Sequence, residues 1–574
     1  MATCSTVVAL TVCTPVLVLP WSSDGARVTT ATAAAPSERP IPVAAASSSD
    51  PGGVIASPAA LVDGDVARGL TGSEWAPSPT DPHPWVELSW SSPRQLASVQ
   101  VFGPSARTVD PGAWHSAPLH GTLRFDDGSS VTVSGIASGG GEGTTVAFAP
   151  RTTSRVRLEL ARALPLATVS LREFSAYEVG STPPRWPREA TGLSARSHPA
   201  AHCSASSSPV GMRTGDGLAL VCPAPGSRVT GTATVVVAGP ANTPVTVRAG
   251  VPTADRATSV REVGQGTTDA AGRAVLTVAL ATLPRGPLTL EVLRSGPAAR
   301  AGDVPLYVQL VNGSGVPVPA GSTAPAGMTL QWAEEFTDPL SISRTGDDAV
   351  YAGMKPSHIG GGSFGDSFFA DPADDDGTFA TVDDEYLRIR TQPSDPATTR
   401  WGLSHTGGIL SSTRVGGSGF SAQYGYFEAR MLGAPGVGSW PAFWMMDTES
   451  TTPRGPVNAE VDAVELYGHD TGYSCHSTHN WGVGTDDGGT PNCVEPPGLV
   501  DWALGWHTFG VRFVPGGAVF YLDGAQVASS SGLIHDSEPF YFMIDLALGG
   551  GWPVDLAATG ERTDLYVDWV RVYT

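Results

Sequence analysis

Apolar residues in this chain recur at alternate positions over short runs, and clusters of Gly, Pro, Asp and Ser separate the runs. Between about residues 41 and 180 these runs are Trp85–Trp90, Ser98–Gly103, Gly121–Val133, Thr144–Phe148, Ser154–Leu160 and Leu171–Val179. The stretch Arg155-Val156-Arg157-Leu158-Glu159-Leu160 alternates strictly, which is the period of a strand with one buried face. Asp126-Asp127-Gly128, set between Leu123-Arg124-Phe125 and Val131-Thr132-Val133, carries the turn chemistry of a hairpin. A second series over 216–312 comprises Thr232–Ala238, Pro244–Arg248, Ala274–Leu280, Leu288–Leu293 and Val304–Val311, with a turn at Asp269-Ala270-Ala271-Gly272. Strands at this spacing suit an immunoglobulin-like β-sandwich. Residues 181–215 (Pro, Ser and Arg) and 313–327 (Pro, Gly, Ser and Ala) lack periodicity and read as linkers. The predicted class is all-β.

The pattern says most in residues 328–574, where aromatics and acids are concentrated. In Val457-Asn458-Ala459-Glu460-Val461-Asp462-Ala463-Val464-Glu465-Leu466-Tyr467-Gly468, the apolar face runs through Val457, Ala459 and Val461, and the polar face through Asn458, Glu460 and Asp462. After Asp462 the phase flips, with Val464 and Leu466 apolar and Glu465 and Tyr467 polar. A one-residue slip of this kind is what a β-bulge produces, and Ala463 is the extra residue. With the bulge, Glu460, Asp462 and Glu465 project to one side. Without it, Glu465 would enter the core beside Val461, a costly place for a lone carboxylate. Carboxylates crowded on one face repel one another, so at least one should keep its proton to higher pH, as a division into proton donor and nucleophile requires. Trp440 and Trp444 share a strand face opposite Pro441 and Phe443, and indoles on such a face can stack on sugar rings.

Composition narrows the classes. The length of 574 residues suits roughly three or four domains. Gly (69) and Pro (49) make up about a fifth of the chain and only 16% of residues are charged, which disfavours long amphipathic helices. A formal charge of −21 sets the chain against phosphate backbones and anionic membranes, and Lys355 is its only lysine. The apolar run Val7–Pro20 followed by Ala31–Ala35 has the order of a secretory signal over residues 1–35, although no basic residue precedes it. Cys4 and Cys13 fall inside that leader. Cys203 with Cys222 and Cys475 with Cys493 form two local pairs, which suit disulfides in an oxidising compartment. No Cys-x-x-Cys spacing calls for zinc. No second hydrophobic span appears.

Glu460-x-Asp462-x-x-Glu465 is similar to the active-site signature of glycoside hydrolase family 16 in its bulged, laminarinase-like form. The resemblance runs through about residues 328–574: Trp332–Phe336, Tyr424–Met431, Gly438–Met446, Trp506–Val511, Phe520–Gly524, Leu546–Pro553 and Val567–Tyr573 follow in the family's order. It implies a concanavalin-like β-jelly roll with a groove across its concave sheet. By the same resemblance Glu460 is the nucleophile, Glu465 the general acid/base, and Asp462 lies between them. Retention of configuration asks for carboxyl groups ~5–5.5 Å apart. Trp481 and Trp552 match family positions that often carry groove aromatics, and His479 falls on a strand that often ends in a histidine near the acid/base. The spacing leaves open whether Glu428 and Arg430 face the groove.

Residues 41–180 resemble the discoidin-like, galactose-binding-like sandwiches appended to secreted glycosidases, on Val62-Asp63-Gly64-Asp65, Trp75, Trp85–Leu88, Leu123–Gly128 and Leu171–Tyr177. Such a domain is either a carbohydrate binder or a spacer. The resemblances imply a secreted, extracellular, retaining endo-glycosidase acting on a polysaccharide, with β-1,3-glucan the first expectation. A β-galactan hydrolase (agarase- or carrageenase-like) is the second, and a non-catalytic glucan-binding protein on the same scaffold the third. No catalytic cofactor, nucleic-acid partner or membrane insertion is expected, and a monomer is. The Asp371–Asp376 segment beside Asp383-Asp384-Glu385 reads either as a lid loop or as a Ca²⁺ site, with no ligand set assigned.

Overall fold

The computed structural model describes residues 42–49, 58–62, 75–78, 80–103, 120–134, 136, 143–161, 170–181, 191–193, 203–204, 210–252, 258–299, 303–317, 321–347, 349–356, 363–374, 376–394, 403–414, 416–451, 458–481, 492–495, 501–533 and 538–574. The leader with Cys4 and Cys13, Val457 and Asp375 lie outside them. The described regular structure is strands and short 3₁₀ turns.

The first body is a sheet in the order Val43–Ala46, Trp85–Phe102, Thr144–Leu160, His120–Phe125, Ser130–Ser134, with Glu173–Glu178 also on Trp85–Phe102. Its core holds Trp75, Val86, Leu88, Val99, Leu123, Val156, Leu158 and Phe174. Runs that read as separate strands, Trp85–Trp90 with Ser98–Gly103 and Thr144–Phe148 with Ser154–Leu160, are each one long strand whose register slips against its partner. In the second body a three-stranded sheet (Arg273–Ala279, Thr232–Ala238, Ala219–Cys222) and a five-stranded sheet (Thr258–Thr267, Pro244–Pro252, Gly286–Arg294, Leu306–Asn312, Arg228–Val229) share one core of Val235, Val237, Val247, Leu276, Leu290 and Val308.

Described residues within the two stretches read as linkers are tied to the folded bodies. Thr191–Leu193 pairs with Leu340–Ser343 at the edge of the C-terminal fold, and Met212 is buried in the second body's core. The Thr323 backbone N–H and hydroxyl donate to Glu428 at 3.0 and 2.7 Å. A lack of periodicity does not prevent two or three residues from completing a sheet edge.

The C-terminal fold is two sheets face to face. The outer sheet runs Phe379–Val382, Tyr386–Pro393, Thr563–Tyr573, Gly425–Leu432, His507–Val514, Gly517–Leu522, Ala525–Ser531. The inner sheet runs His405–Ser411, Phe540–Leu548, Ser439–Asp447, Asn458–Glu465, Ser474–Trp481, Asn492–Val494. Alternation decides the faces. Phe443, Met445, Val461, Val464, Phe542, Ile544 and Leu546 fill the space between the sheets with Phe427, Ala429 and Met431. Trp444, Met446, Tyr541, Met543 and Ala547 form the opposite face. The second body covers part of the outer sheet: Val311 joins Val382, Tyr386, Leu432, Trp506 and Tyr566 in one apolar cluster. The Gln309 amide pairs with the Asp564 backbone in both directions at 2.8 and 2.9 Å.

Candidate active site

The strand Asn458–Glu465 is bulged. Against Ser439–Asp447 the partners are Glu465 with Ala442, Val464 with Phe443 and Asp462 with Trp444, so Ala463 has none. Against Ser474–Trp481 the register slips between Asp462 and Glu465. Ala459, Val461, Ala463 and Val464 are buried between the sheets, while Glu460 and Glu465 are half-buried on the groove side. Asp447 anchors the start of the strand: its Oδ2 accepts the Ala459 N–H at 2.5 Å and its Oδ1 the Ser450 N–H at 3.0 Å.

Each carboxylate of the row has a ring-bearing partner. Glu465 Oε1 accepts from Trp440 Nε1 at 3.1 Å and from the Tyr467 hydroxyl at 2.9 Å. Glu460 Oε2 accepts from Trp481 Nε1 at 3.1 Å. Asp462, 4% exposed, lies 3.2 Å from His479 Nε2. Burial pushes the Glu465 carboxyl above its ordinary range; the Tyr467 and Trp440 hydrogen bonds oppose that and the Glu460 charge adds to it. Burial, then the Glu460 charge, pushes Asp462 well up against the His479 hydrogen bond. Carboxyls that keep a proton to higher pH, as Glu465 and Asp462 do, are able to serve as proton donors. Donor atoms of Glu460, Asp462 and His479 also lie within 4.8 Å of one another, which is a set a divalent cation can take.

The aromatic residues divide by exposure. Trp440 is half-buried, stacked on Tyr467 with centroids 6.0 Å apart. Trp444 is 5% exposed; it donates to Asp545 Oδ1 at 2.7 Å and carries the Lys355 ammonium 5.0 Å from its ring centroid. Trp481 (37% exposed) stacks on His479, and Trp552 (44% exposed) stacks on His469 at 3.6 Å. The Cys475–Cys493 disulfide joins two neighbouring strands beside the row, and Cys203–Cys222 lies in the second body.

Glu428 and Arg430, left open by spacing, face away from the groove. They lie on the outer sheet, where Glu428 accepts from Thr323 and Arg430 pairs with Asp568 beneath Trp506. The acidic segment caps turns: Asp371 accepts the Ala373 N–H and Asp376 the Thr378 N–H, while Asp383 pairs with Arg228.

Sequence reasoning passed over Asp545 and His476 and read Tyr467 only as a polar-face residue. Asp545 is 1% exposed, and burial pushes its carboxyl well up against the Trp444 hydrogen bond. Its signal was present: it is the single acid in the apolar strand Phe540–Leu548.

Residues 381–571 match the family model of glycosyl hydrolases family 16, and residues 41–177 match one described as a domain of unknown function. Over 198 residues the chain is 29% identical to endo-1,3-1,4-beta-glycanase ExsH of Rhizobium meliloti (strain 1021), covering 34% of this chain and 39% of that protein. It is 30% identical over 174 residues to a keratan-sulfate endo-1,4-beta-galactosidase of Sphingobacterium multivorum (29% of this chain, 40% of that protein). It is 26% identical over 272 residues to glucan endo-1,3-beta-glucosidase A1 of Niallia circulans (43% and 38%). The chain thus spans about two fifths of the length of these curated relatives. The bulged carboxylate row thus lies within residues 381–571, the part of the chain that matches glycosyl hydrolases family 16.

Proposed function

We propose that the chain is a secreted, retaining endo-glycosidase that hydrolyses a β-linked glucan, with β-1,3-glucan as its substrate. The observation that carries the reading is the bulged row, in which Glu465 is pushed to higher proton affinity beside Glu460. Glu465 protonates the glycosidic oxygen while Glu460 attacks the anomeric carbon and forms a glycosyl ester; water, losing a proton to Glu465, then releases the sugar. Asp462, between them, tunes both. Trp440, Trp481 and Trp552 hold successive sugar rings. This chemistry uses carboxyl groups alone and needs no metal. The glucan assignment follows the glucan endo-1,3-beta-glucosidase and endo-1,3-1,4-beta-glycanase relatives, and the keratan-sulfate galactosidase relative keeps a β-galactan as the second reading.

Two disulfides fit an oxidising, extracellular setting, and among the described residues no helix is long and apolar enough to cross a membrane. The first body (41–180) is proposed as a carbohydrate-binding sandwich. Reducing-sugar release from laminarin, lichenan and agarose tests the assignment. Laminarin should be cleaved to oligosaccharides, and Glu460→Gln should abolish turnover with an unchanged melting curve. Near-wild-type hydrolysis by that variant would refute the role of Glu460, and glucan binding without sugar release would favour a lectin.

A further inference from the structure

A bulge creates a local debt: the extra residue loses its ladder partners, and its buried carbonyl needs another donor. Here Ala463 is the extra residue, 0% exposed and unpaired by either neighbouring strand. The donor is a side chain. His476 stands on the adjacent strand Ser474–Trp481, points between the sheets and is 0% exposed, with its Nδ1 2.6 Å from the Ala463 carbonyl oxygen. A carbonyl only accepts, so Nδ1 carries the hydrogen. Nε2, 2.9 Å from the Ser474 hydroxyl, is then the acceptor of that hydroxyl's proton. Burial pushes the ring down to about 4, which keeps it in this neutral form at ordinary pH. The Phe520 ring lies 5.5 Å away and closes the pocket.

We infer that His476 is a positioning residue: its Nδ1–H pins the Ala463 carbonyl, holds the bulge, and so keeps Glu465 on the groove side of the strand opposite Glu460. The inference rests on the proposed catalytic roles of Glu460 and Glu465. His476 itself touches no substrate. If the carbonyl lost its donor, the strand would gain by slipping toward regular pairing, which turns Glu465 toward the core. A displacement of about 1 Å at a reacting group costs roughly a hundredfold in rate.

The test compares three chains on laminarin. His476→Asn places an amide N–H where Nδ1 stands; His476→Leu fills the space without a donor; Ser474→Ala removes only the brace on Nε2. The expected result is a kcat near wild type for H476N, a loss of about a hundredfold for H476L with KM unchanged, and a loss of about threefold for S474A. A role in shape alone would leave H476N as impaired as H476L, and that outcome overturns the inference. So does a kcat for H476L within twofold of wild type. Should H476L fail to fold, H476N and S474A still decide. Long-range ¹H–¹⁵N correlation spectra of the full chain, assigned by the resonance lost in H476N, read the tautomer directly. An Nδ1–H ring is expected, and an Nε2–H ring overturns the inference. If the wild-type chain cleaves no β-glycan, the proposed function falls, while the tautomer spectrum still reports on the pin.

Discussion

Tyr467→Phe removes one of the two donors on Glu465 Oε1 and leaves the ring stacked on Trp440. The hydroxyl, 2.9 Å from the carboxylate, stabilises the ionised form, as does Trp440 Nε1 at 3.1 Å on the same oxygen. A hydrogen bond to a charged group contributes about 1.5–3 kcal/mol, and one pKa unit corresponds to about 1.4 kcal/mol. The bare loss is therefore about one to two units. Trp440 remains and groove water replaces part of the contact, so a rise of about half a unit to one unit in Glu465 is expected. Glu465 must be protonated to act as the acid, so activity falls as pH rises through its pKa. Raising that pKa moves the basic limb of the kcat/KM profile to higher pH by the same amount and leaves the acid limb in place. The assay is initial-rate hydrolysis of laminarin across pH at substrate well below KM. A basic limb that stays put or moves to lower pH would refute the reasoning. A uniform drop without displacement would mean that the hydroxyl contacts substrate instead.

Asp545→Asn tests a second raised carboxyl through stability. Its folded pKa stands above the unfolded value, so the cost of burying it ionised grows as pH climbs from about 4 through the raised pKa. Asn carries no such cost, so the stability of the variant should gain on wild type with rising pH by at most about 1.4 kcal/mol per pH unit, read as a widening gap in melting temperature; a gap that narrows sinks the argument. A chain beginning at residue 328 tests the second body as a brace, since it uncovers Val382, Tyr386, Leu432, Trp506 and Tyr566 and strips Gln309 from the Asp564 backbone. Exposing part of that cluster costs roughly 2–3 kcal/mol, or about 5–10 °C at the usual slope for a domain of this size. A melting temperature within a degree of the full chain would show that the interface contributes nothing.

The bulge was legible because one residue shifts the phase of a period-2 pattern, and burying Glu465 beside Val461 is too costly to be the alternative. The two disulfides were legible from count and spacing. What the pattern hid depends on partners distant in sequence. Asp545 and Ala442 meet across strands about a hundred residues apart, and nothing near Asp545 announces Trp444 above it. The outward face of Tyr424–Met431 carries Glu428 and Arg430, which read equally well as groove residues until Thr323 and Asp568 are seen against them. Thr191–Leu193 forms a strand only because Leu340–Ser343 offers it an open edge. His476 gave no signal, since its partner, a backbone carbonyl, leaves no trace in side-chain pattern.

Two buried acids of the C-terminal fold, Asp564 and Asp545, differ in their partners, and the difference is chemical. Asp564 is as deeply buried as Asp545, yet its carboxyl is held below the ordinary range: burial opposes this, but the Arg390 guanidinium, bidentate at 2.6 and 2.8 Å, outweighs it. Such a pair is fixed in one charge state and serves the fold. The groove acids instead take neutral or weakly basic partners: Trp440 and Tyr467 on Glu465, Trp444 on Asp545, Trp481 on Glu460, His479 on Asp462. Neutral donors orient a carboxyl without cancelling the cost of ionising it, so Glu465, Asp462 and Asp545 keep their protons to higher pH than Asp564 does. A guanidinium introduced beside Glu465 would make the site more stable and less able to donate a proton. Among the described residues none of these four carboxyls has an Arg contact, in a chain whose basic residues are nearly all Arg, whereas Arg390 holds Asp564.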